Sequence, residues 1–372
     1  MPALAPARVG DPVAAIDTPA LVVDLDALER NLDLMANAVH GAGVALRPHA
    51  KAHKCPAIAL AQIDRGSAGI CCQKVGEAEV FVAAGVRNVL VTNEVVDPTK
   101  LARLATLARD ARIGVLADDV GNVTAIGEAA RTAHVALDVF VEVDVGAHRC
   151  GVGSAADALT LARAIDLTGG LRLGGLHAYH GAAQHLRQPD ERRAAVAAAT
   201  DIARGARDAI VAAGIACSTV TGGGTGTWQL ERDSGLYTEI QPGSYIFMDA
   251  DYGRNALAPD QHVFEQSLFV VAMVMSVAVE GQIVVDAGLK AFAFDSGPPL
   301  VYGARGLQYV KGSDEHGIVA VARGATRPVL GERLWLVPGH CDPTVNLYDW
   351  LVGVRGERVE LVWPVAARGA LS

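Results

Sequence analysis

Lys51 lies in Arg47-Pro48-His49-Ala50-Lys51-Ala52-His53-Lys54, directly after an apolar run (Val44, Ala45, Leu46) that reads as a buried strand. A lysine delivered to the C-terminal mouth of a strand and crowded by other cations is expected to have a depressed pKa and a usable amine. It is therefore a candidate Schiff-base former. Far downstream, Pro338-Gly339-His340-Cys341-Asp342-Pro343-Thr344 offers an imidazole and a carboxylate two positions apart. If that segment is extended, His340 and Asp342 share a face and Cys341 points away. Such a pair suits a divalent metal, Mn²⁺ or Mg²⁺, with water or substrate oxygens completing an octahedron.

The intervening chain must bring these two features together. Apolar, β-branched runs at 21–24, 45–49, 69–72, 88–92, 112–117, 138–144, 172–178 and 219–221 alternate with amphipathic helical segments. Helical spacing places Leu28, Leu32, Met35 and Val39 on one face of 26–40, with Asp26 as the expected N-cap. Helices are also expected over 98–110 and 189–213, each opening on a proline. Eight strand–helix alternations favour an α/β fold, a (β/α)8 TIM-like barrel over 20–255. Beyond it, 266–279, 282–286, 317–322, 333–337 and 358–364 read as strands, so 256–372 is expected to be a β-rich second domain. Val13 to Ile16 is expected to add residues 1–19 to it.

Composition narrows the partners. Half of the residues are apolar (51%) and 20% are charged, enough for a large core. A formal charge of −9 without a basic stripe argues against nucleic acid. Met1 to Asp11 has no apolar signal region, and Leu268 to Met275 is far shorter than the ~20 residues of a spanning helix. A soluble, cytoplasmic protein with no membrane partner is expected. The six cysteines lack C-x-x-C spacing and read as reduced thiols, with Cys71 and Cys72 on opposite faces of one strand.

Catalytic groups of a barrel gather after its strands. That filter selects His49, Lys51 and His53, then Gln73 and Lys74, Asn93 and Glu94, Asp144, His148 and Arg149, and finally Tyr179, His180 and His185. The last run leads into Thr221-Gly222-Gly223-Gly224-Thr225-Gly226, whose spacing is neither a Walker loop nor a dinucleotide fingerprint. Consecutive glycines there let backbone N–H groups converge on a phosphate, with Gly243 and Ser244 as a second wall. A lysine and a phosphate cup across one barrel mouth together imply pyridoxal 5′-phosphate.

These strings, with Val141-Glu142-Val143-Asp144-Val145-Gly146, Arg149, Gly151 and Gln241-Pro242-Gly243-Ser244-Tyr245, resemble the alanine-racemase-type pyridoxal phosphate enzymes. The segment around His340 resembles the metal-dependent D-threonine aldolase and D-serine dehydratase group within them. The resemblance implies that Lys51 carries the cofactor, Arg149 meets its phenolic oxygen, and Tyr179 packs on the pyridine face. Gln73 and the glycine turn would complete the cofactor site. Gln241 stands where racemases set an arginine against the pyridine nitrogen, which should leave that nitrogen largely unprotonated. Aldolases of the group carry aspartate at the second metal position and dehydratases cysteine; this chain has Asp342. The resemblance also implies a homodimer acting on a β-hydroxy-D-amino acid. His53, His180 and His316 are the imidazoles considered for the base, and Asp286 or His316 for orienting His340. Three readings follow. The first is an aldolase that cleaves Cα–Cβ to glycine and an aldehyde, the second a dehydratase, and the third a non-catalytic cofactor carrier.

Overall fold

Eight short runs, most of them rich in Val, Ile and Leu, form one parallel sheet in the computed structural model, which describes residues 4–372. In sheet order they are β2 (Ala45–Leu46), β9 (Glu239–Ile240), β8 (Val220–Gly222), β7 (Leu171–Ala178), β6 (Leu137–Glu142), β5 (Arg112–Ala117), β4 (Asn88–Glu94) and β3 (Ile70–Cys72). A parallel bridge between His49 and Cys71, with Cys71 N donating to Pro48 O at 2.8 Å, closes the ring. The expected (β/α)8 barrel is present, but its strands are not all the expected ones. Ala20–Asp24 (β1) belongs to the other sheet, and β9, only two residues long, is the eighth barrel strand.

The helices begin where short polar side chains take up free N–H groups. Asp24, not Asp26, caps α1 (Leu25–Val39), accepting from Ala27 N at 3.0 Å. α2 (Pro56–Asp64) opens on proline, and α3 (Val75–Ala83) opens with the Glu77 carboxylate reaching back to Lys74 N. Asp97, Asp119 and Ser154 cap α4 (Pro98–Leu107), α5 (Val120–Ala133) and α6 (Ala155–Leu167); α7 (Pro189–Ala212) again opens on proline. α8 (Trp228–Arg232) is a single turn beside the glycine-rich loop.

Strand alternation sorts the side chains between barrel interior and helix layer. In β6, Val139 and Val141 join the core between sheet and helices, where each buried aliphatic side chain contributes roughly 1.5–3 kcal/mol. Phe140 faces inward and packs with Cys71, Leu90 and Leu116. Cys71 and Cys72 thus lie on opposite faces, and all six cysteines are free thiols. At the base of the barrel Arg47, Asn88, Asp138 and Glu239 line a cavity of about 210 Å³.

The second sheet gathers β1, β10 (Leu268–Ser276), β11 (Gln282–Val285), β12 (Leu300–Val301), β13 (Leu307–Gly312), β14 (Gly317–Val321), β15 (Arg333–Val337), β16 (Trp350–Arg355) and β17 (Arg358–Pro364). β1 is interior to it, antiparallel to β10 and parallel to β16. The N-terminal segment joins this sheet through a Pro12–Arg358 bridge, and Val13 and Ile16 pack beneath Val352 and Val354. α9 (Cys341–Val345) is one helical turn between β15 and β16. Among the described residues no helix is long and apolar enough to cross a membrane.

Candidate active site

A cavity of about 130 Å³ opens at the C-terminal mouth of the barrel, lined by Lys51, Gln73, Arg149, Tyr179, Gln241, Gly243, Ser244, His340 and Asp342 among others. Each lining group is held by a local device. Lys51 sits on a 3₁₀ turn (Ala50–Ala52) whose entry is fixed by His49, with Lys51 N directed at His49 Nδ1 at 3.4 Å. His49 Nε2 lies 2.9 Å from Thr92 Oγ1 and 3.2 Å from Gln73 Nε2, so β2, β3 and β4 are tied together under the lysine. Arg149 is carried by the loop after β6, where Asp144 N donates to Val152 O and Asp144 Oδ1 accepts from Gly146 N and His148 N. Its guanidinium lies 5.9 Å from the centre of the Tyr179 ring.

His340 and Asp342 converge, though not as an extended strand. His340 is the residue before α9 and Asp342 is in its first turn, so a helical start, not alternation, brings both to the cavity. Asp249 Oδ2 takes Cys341 N at 2.9 Å, and Cys341 is turned into the core. Gly339 is required because a Cβ there would lie 2.2 Å from Gly297 O. Asp295 Oδ2 holds His340 Nδ1 at 2.6 Å, leaving Nε2 for a ligand; neither Asp286 nor His316 fills this orienting role. Asp286 bonds Thr18 Oγ1 and Met273 N instead.

The two ends of the chain meet at the lysine: Lys51 Nζ is 3.5 Å from Asp342 Oδ2. Burial pulls the Lys51 pKa down, but the charges of Asp342 and Tyr179 outweigh it, so it stands above the ordinary 10.5 rather than below. The cations expected to depress it face elsewhere. Lys54 pairs with Glu77 at 2.8 Å, and burial holds the His53 imidazole at about 4, hence neutral. Asp342, raised by burial, is nonetheless held below its ordinary value by Lys51 and His340.

The residues present fit both a phosphate-bearing cofactor and a divalent cation. At the glycine turn Thr225 Oγ1 is buried without a partner and lines the cavity beside Gly223 and Gly224. Gly243 approaches so closely that a Cβ would lie 2.9 Å from His49 O. Backbone N–H groups and an orphaned hydroxyl suit a phosphate. One imidazole and one carboxylate in the same cavity, with Asp342 Oδ1 accepting from Ser244 Oγ at 3.2 Å, suit a hard divalent cation. Elsewhere, Glu94, Asp118 and Cys150 place ligand atoms within 4.8 Å of one another, a cluster separate from the His340–Asp342 pair. A larger cavity of about 340 Å³ along α7 and α8 has no comparable set of groups.

Residues 23–251 match the family model described as "Alanine racemase, N-terminal domain", and residues 267–354 match "Putative serine dehydratase domain". The chain is 50% identical over 364 residues to the D-threonine aldolase of Arthrobacter sp, covering 98% of this chain and 96% of the relative. The chain belongs to the D-threonine aldolase family. A 3-hydroxy-D-aspartate aldolase of Paracoccus denitrificans (strain Pd 1222) is 46% identical over 370 residues, 98% of this chain and 95% of that one. The crystal structure of a D-threonine aldolase from Filomicrobium marinum superposes with a TM-score of 0.97 at 49% identity, covering 99% of this chain and 100% of that chain. As a member of the D-threonine aldolase family, the protein is a carbon–carbon lyase on the alanine-racemase-type fold.

Within this family frame, several expected site residues fall outside the cavity. Thr221 and Gly222 lie beneath it: Thr221 is fully buried and bonded to Glu239, and Gly222 packs against Ala178 O. Thr225 takes the expected place at the wall. His53 is fully buried behind Lys51, its Nδ1 accepting from Cys55 N and its ring edge-on to Phe81. His180 packs against the loop at Gly146, and His316 is exposed in the turn between β13 and β14. None of these three histidines lines the cavity. Besides His340 on Asp295 and His177 on Glu142, the cavity is lined by a third carboxylate-backed imidazole, His185, whose Nδ1 is 2.6 Å from Asp251 Oδ2 and whose ring packs on Tyr252. His185 was visible only as one of the polar residues after β7, because its partner Asp251 is distant in sequence.

Proposed function

We propose that this enzyme cleaves the Cα–Cβ bond of D-threonine and related β-hydroxy-D-amino acids, giving glycine and an aldehyde, with pyridoxal 5′-phosphate and a divalent cation, Mn²⁺ or Mg²⁺. The observation that carries this reading is the approach of Lys51 Nζ to Asp342 Oδ2, 3.5 Å, which puts the amine and the candidate cation ligands in one small cavity. Lys51 would hold the cofactor, with Arg149, Tyr179, Gln73, Gln241 and the Gly223–Thr225 and Gly243–Ser244 walls around it. Bound there, the cofactor supplies an electron sink for the bond being broken. His340 and Asp342 would hold the cation, which supplies Lewis-acid polarisation of the substrate hydroxyl.

The chain's own residues do the rest. His185, fixed through Nδ1 by Asp251, offers Nε2 to take the β-hydroxyl proton as the Cα–Cβ bond parts and the aldehyde forms. Lys51 Nζ, in the same cavity, would give a proton to Cα, and the proton taken up by His185 passes back through solvent to the amine, so that one proton leaves the hydroxyl and one arrives at Cα. Gln184, through Gly226 N at 2.9 Å and Thr227 Oγ1 at 2.7 Å, keeps the glycine turn rigid. Asp342 at the cation position favours the aldolase over the dehydratase. Exposed Leu300, Tyr302 and Val310 on the second domain are the surface that a homodimer of this cytoplasmic enzyme would cover.

The test is incubation of the protein, loaded with cofactor and Mn²⁺, with D-threonine in the presence and absence of a chelator. Glycine and acetaldehyde, lost on chelation, are expected. Release of 2-oxobutyrate and ammonia would replace the reading by a dehydratase. Failure of borohydride to fix the cofactor on Lys51 would remove its basis.

A further inference from the structure

A single file of polar side chains crosses the barrel under the cavity: Arg47, Glu239, Thr221, Gln241, His177 and Glu142, all buried. Arg47 Nε is 2.8 Å from Glu239 Oε1. Thr221 Oγ1 donates to that same oxygen at 2.8 Å and accepts from Gln241 Nε2 at 2.7 Å. His177 Nε2 is 3.1 Å from Gln241 Oε1, and His177 Nδ1 contacts Glu142 Oε2.

The donor directions in this file follow from its ends. A carboxylate paired with arginine only accepts, so the one hydroxyl hydrogen of Thr221 goes to Glu239. Thr221 must then accept, which turns the Gln241 NH₂ toward it and the Gln241 carbonyl toward His177. An amide orientation that is ordinarily ambiguous is thereby determined by its neighbours. His177 Nε2 must carry a hydrogen to meet that carbonyl. The carboxylate facing Nδ1 calls for a hydrogen there as well, and although burial draws the His177 pKa down, the charge of Glu142 outweighs it and lifts the value. Thr221 takes only one amide hydrogen of Gln241, and Gln241 lines the cavity.

We propose that His177, braced by Glu142, is a positioning residue that, together with Thr221 at the other end, locks the Gln241 amide so that the cavity floor offers the cofactor's ring nitrogen an N–H donor and no acceptor. The proposal rests on the cofactor reading above. In pyridoxal phosphate the ring nitrogen is para to the carbon bearing the aldehyde, so attachment at Lys51 turns the nitrogen away from the lysine. A donor there satisfies the lone pair of the neutral nitrogen and disfavours its protonation. His177 and Glu142, neither of which transfers a proton in the cleavage, would thus set the strength of the electron sink.

The test loads the full-length protein with cofactor labelled with ¹⁵N in the ring and reads the nitrogen resonance. The wild-type signal is expected where an unprotonated pyridine appears. Gln241→Glu, which puts an acceptor on the floor, is expected to move it to the protonated position. His177→Leu removes the donor to the Gln241 carbonyl, leaving only the Thr221 hydroxyl, which can rotate its hydrogen from Glu239 to a turned carbonyl; the carbonyl then reaches the floor and the signal should move the same way. His177→Gln, which keeps an N–H at the position of Nε2, should restore it. A protonated ring in the wild type, or no movement in Gln241→Glu, overturns the proposal. So does a His177→Leu spectrum identical to wild type; if that variant does not fold, the Gln241→Glu comparison decides. A protein that takes up no label refutes the cofactor assignment itself, a result distinct from these.

Discussion

Replacing Glu231 with glutamine should stabilise the ligand-free protein at alkaline pH and change it little in acid. Glu231 lies on α8 under the glycine turn, 2% exposed, with Oε1 accepting from Thr227 Oγ1 at 2.7 Å and Oε2 buried without a partner. Burial raises its carboxyl from 4.5 to about 7. Below pH 4.5 the group is neutral in both folded and unfolded chains. As pH rises, the unfolded chain ionises first, so stability falls until the pH passes the folded value. At roughly 1.4 kcal/mol per pH unit between the two values, the loss reaches ~3 kcal/mol and is nearly complete at pH 7. Glutamine mimics the neutral acid and keeps the Thr227 bond. At about 2.1 cal/mol/K per residue over this chain, ~3 kcal/mol corresponds to a rise in Tm of about 4 °C. Thermal unfolding of both proteins at pH 5 and pH 8 measures this. The gain is expected to be ~3 kcal/mol at pH 8 and below about 1 kcal/mol at pH 5. An equal effect at both values, or a less stable variant at pH 8, would refute the reasoning. Because Gly223 packs against this carboxyl, a phosphate dianion in the turn should shift the same window to higher pH.

Three further outcomes follow from the site. His185→Gln should lower kcat by about 10²–10⁴-fold while cofactor affinity, read by absorbance titration, stays within twofold or so; a smaller loss in kcat removes His185 as the base. Asp295→Ala leaves His340 unbraced and should weaken Mn²⁺ binding by roughly 10–100-fold in an EPR titration, with unchanged binding counting against the His340 assignment. Gly243→Ala forces a Cβ to 2.9 Å from His49 O, so urea unfolding should show a loss of about 1–3 kcal/mol, accompanied by weaker cofactor uptake.

The features legible in the sequence were those encoded locally. The lysine string, the glycine turn and the His340–Asp342 segment are each recognisable within a few residues, and all three reach one cavity, while the period of the apolar runs was enough to give a barrel. What escaped was set by partners distant in the chain. Ala20–Asp24 has the composition of any strand, and nothing in it says which sheet it will enter. β9 is two residues long, too short for a pattern. The sign of the Lys51 shift is not legible in its string because Lys54 turns to Glu77 and Asp342 arrives from the far end of the chain. His53 follows Lys51 by two positions, yet the 3₁₀ turn at Ala50–Ala52 points it into the core. His185 acquires its meaning only when Asp251 comes alongside.

The position of β1 has a consequence for how the polypeptide is assembled. Its neighbours, β10 and β16, are synthesised only after the whole barrel, so an early strand must wait, unpaired, while the intervening residues emerge and wrap. Closing so long a loop is entropically slow, and an apolar ribbon left open in the meantime is a site for association with other chains. Maturation of this enzyme should therefore be limited by capture of its first strand, with the catalytic mouth the last region to be sealed.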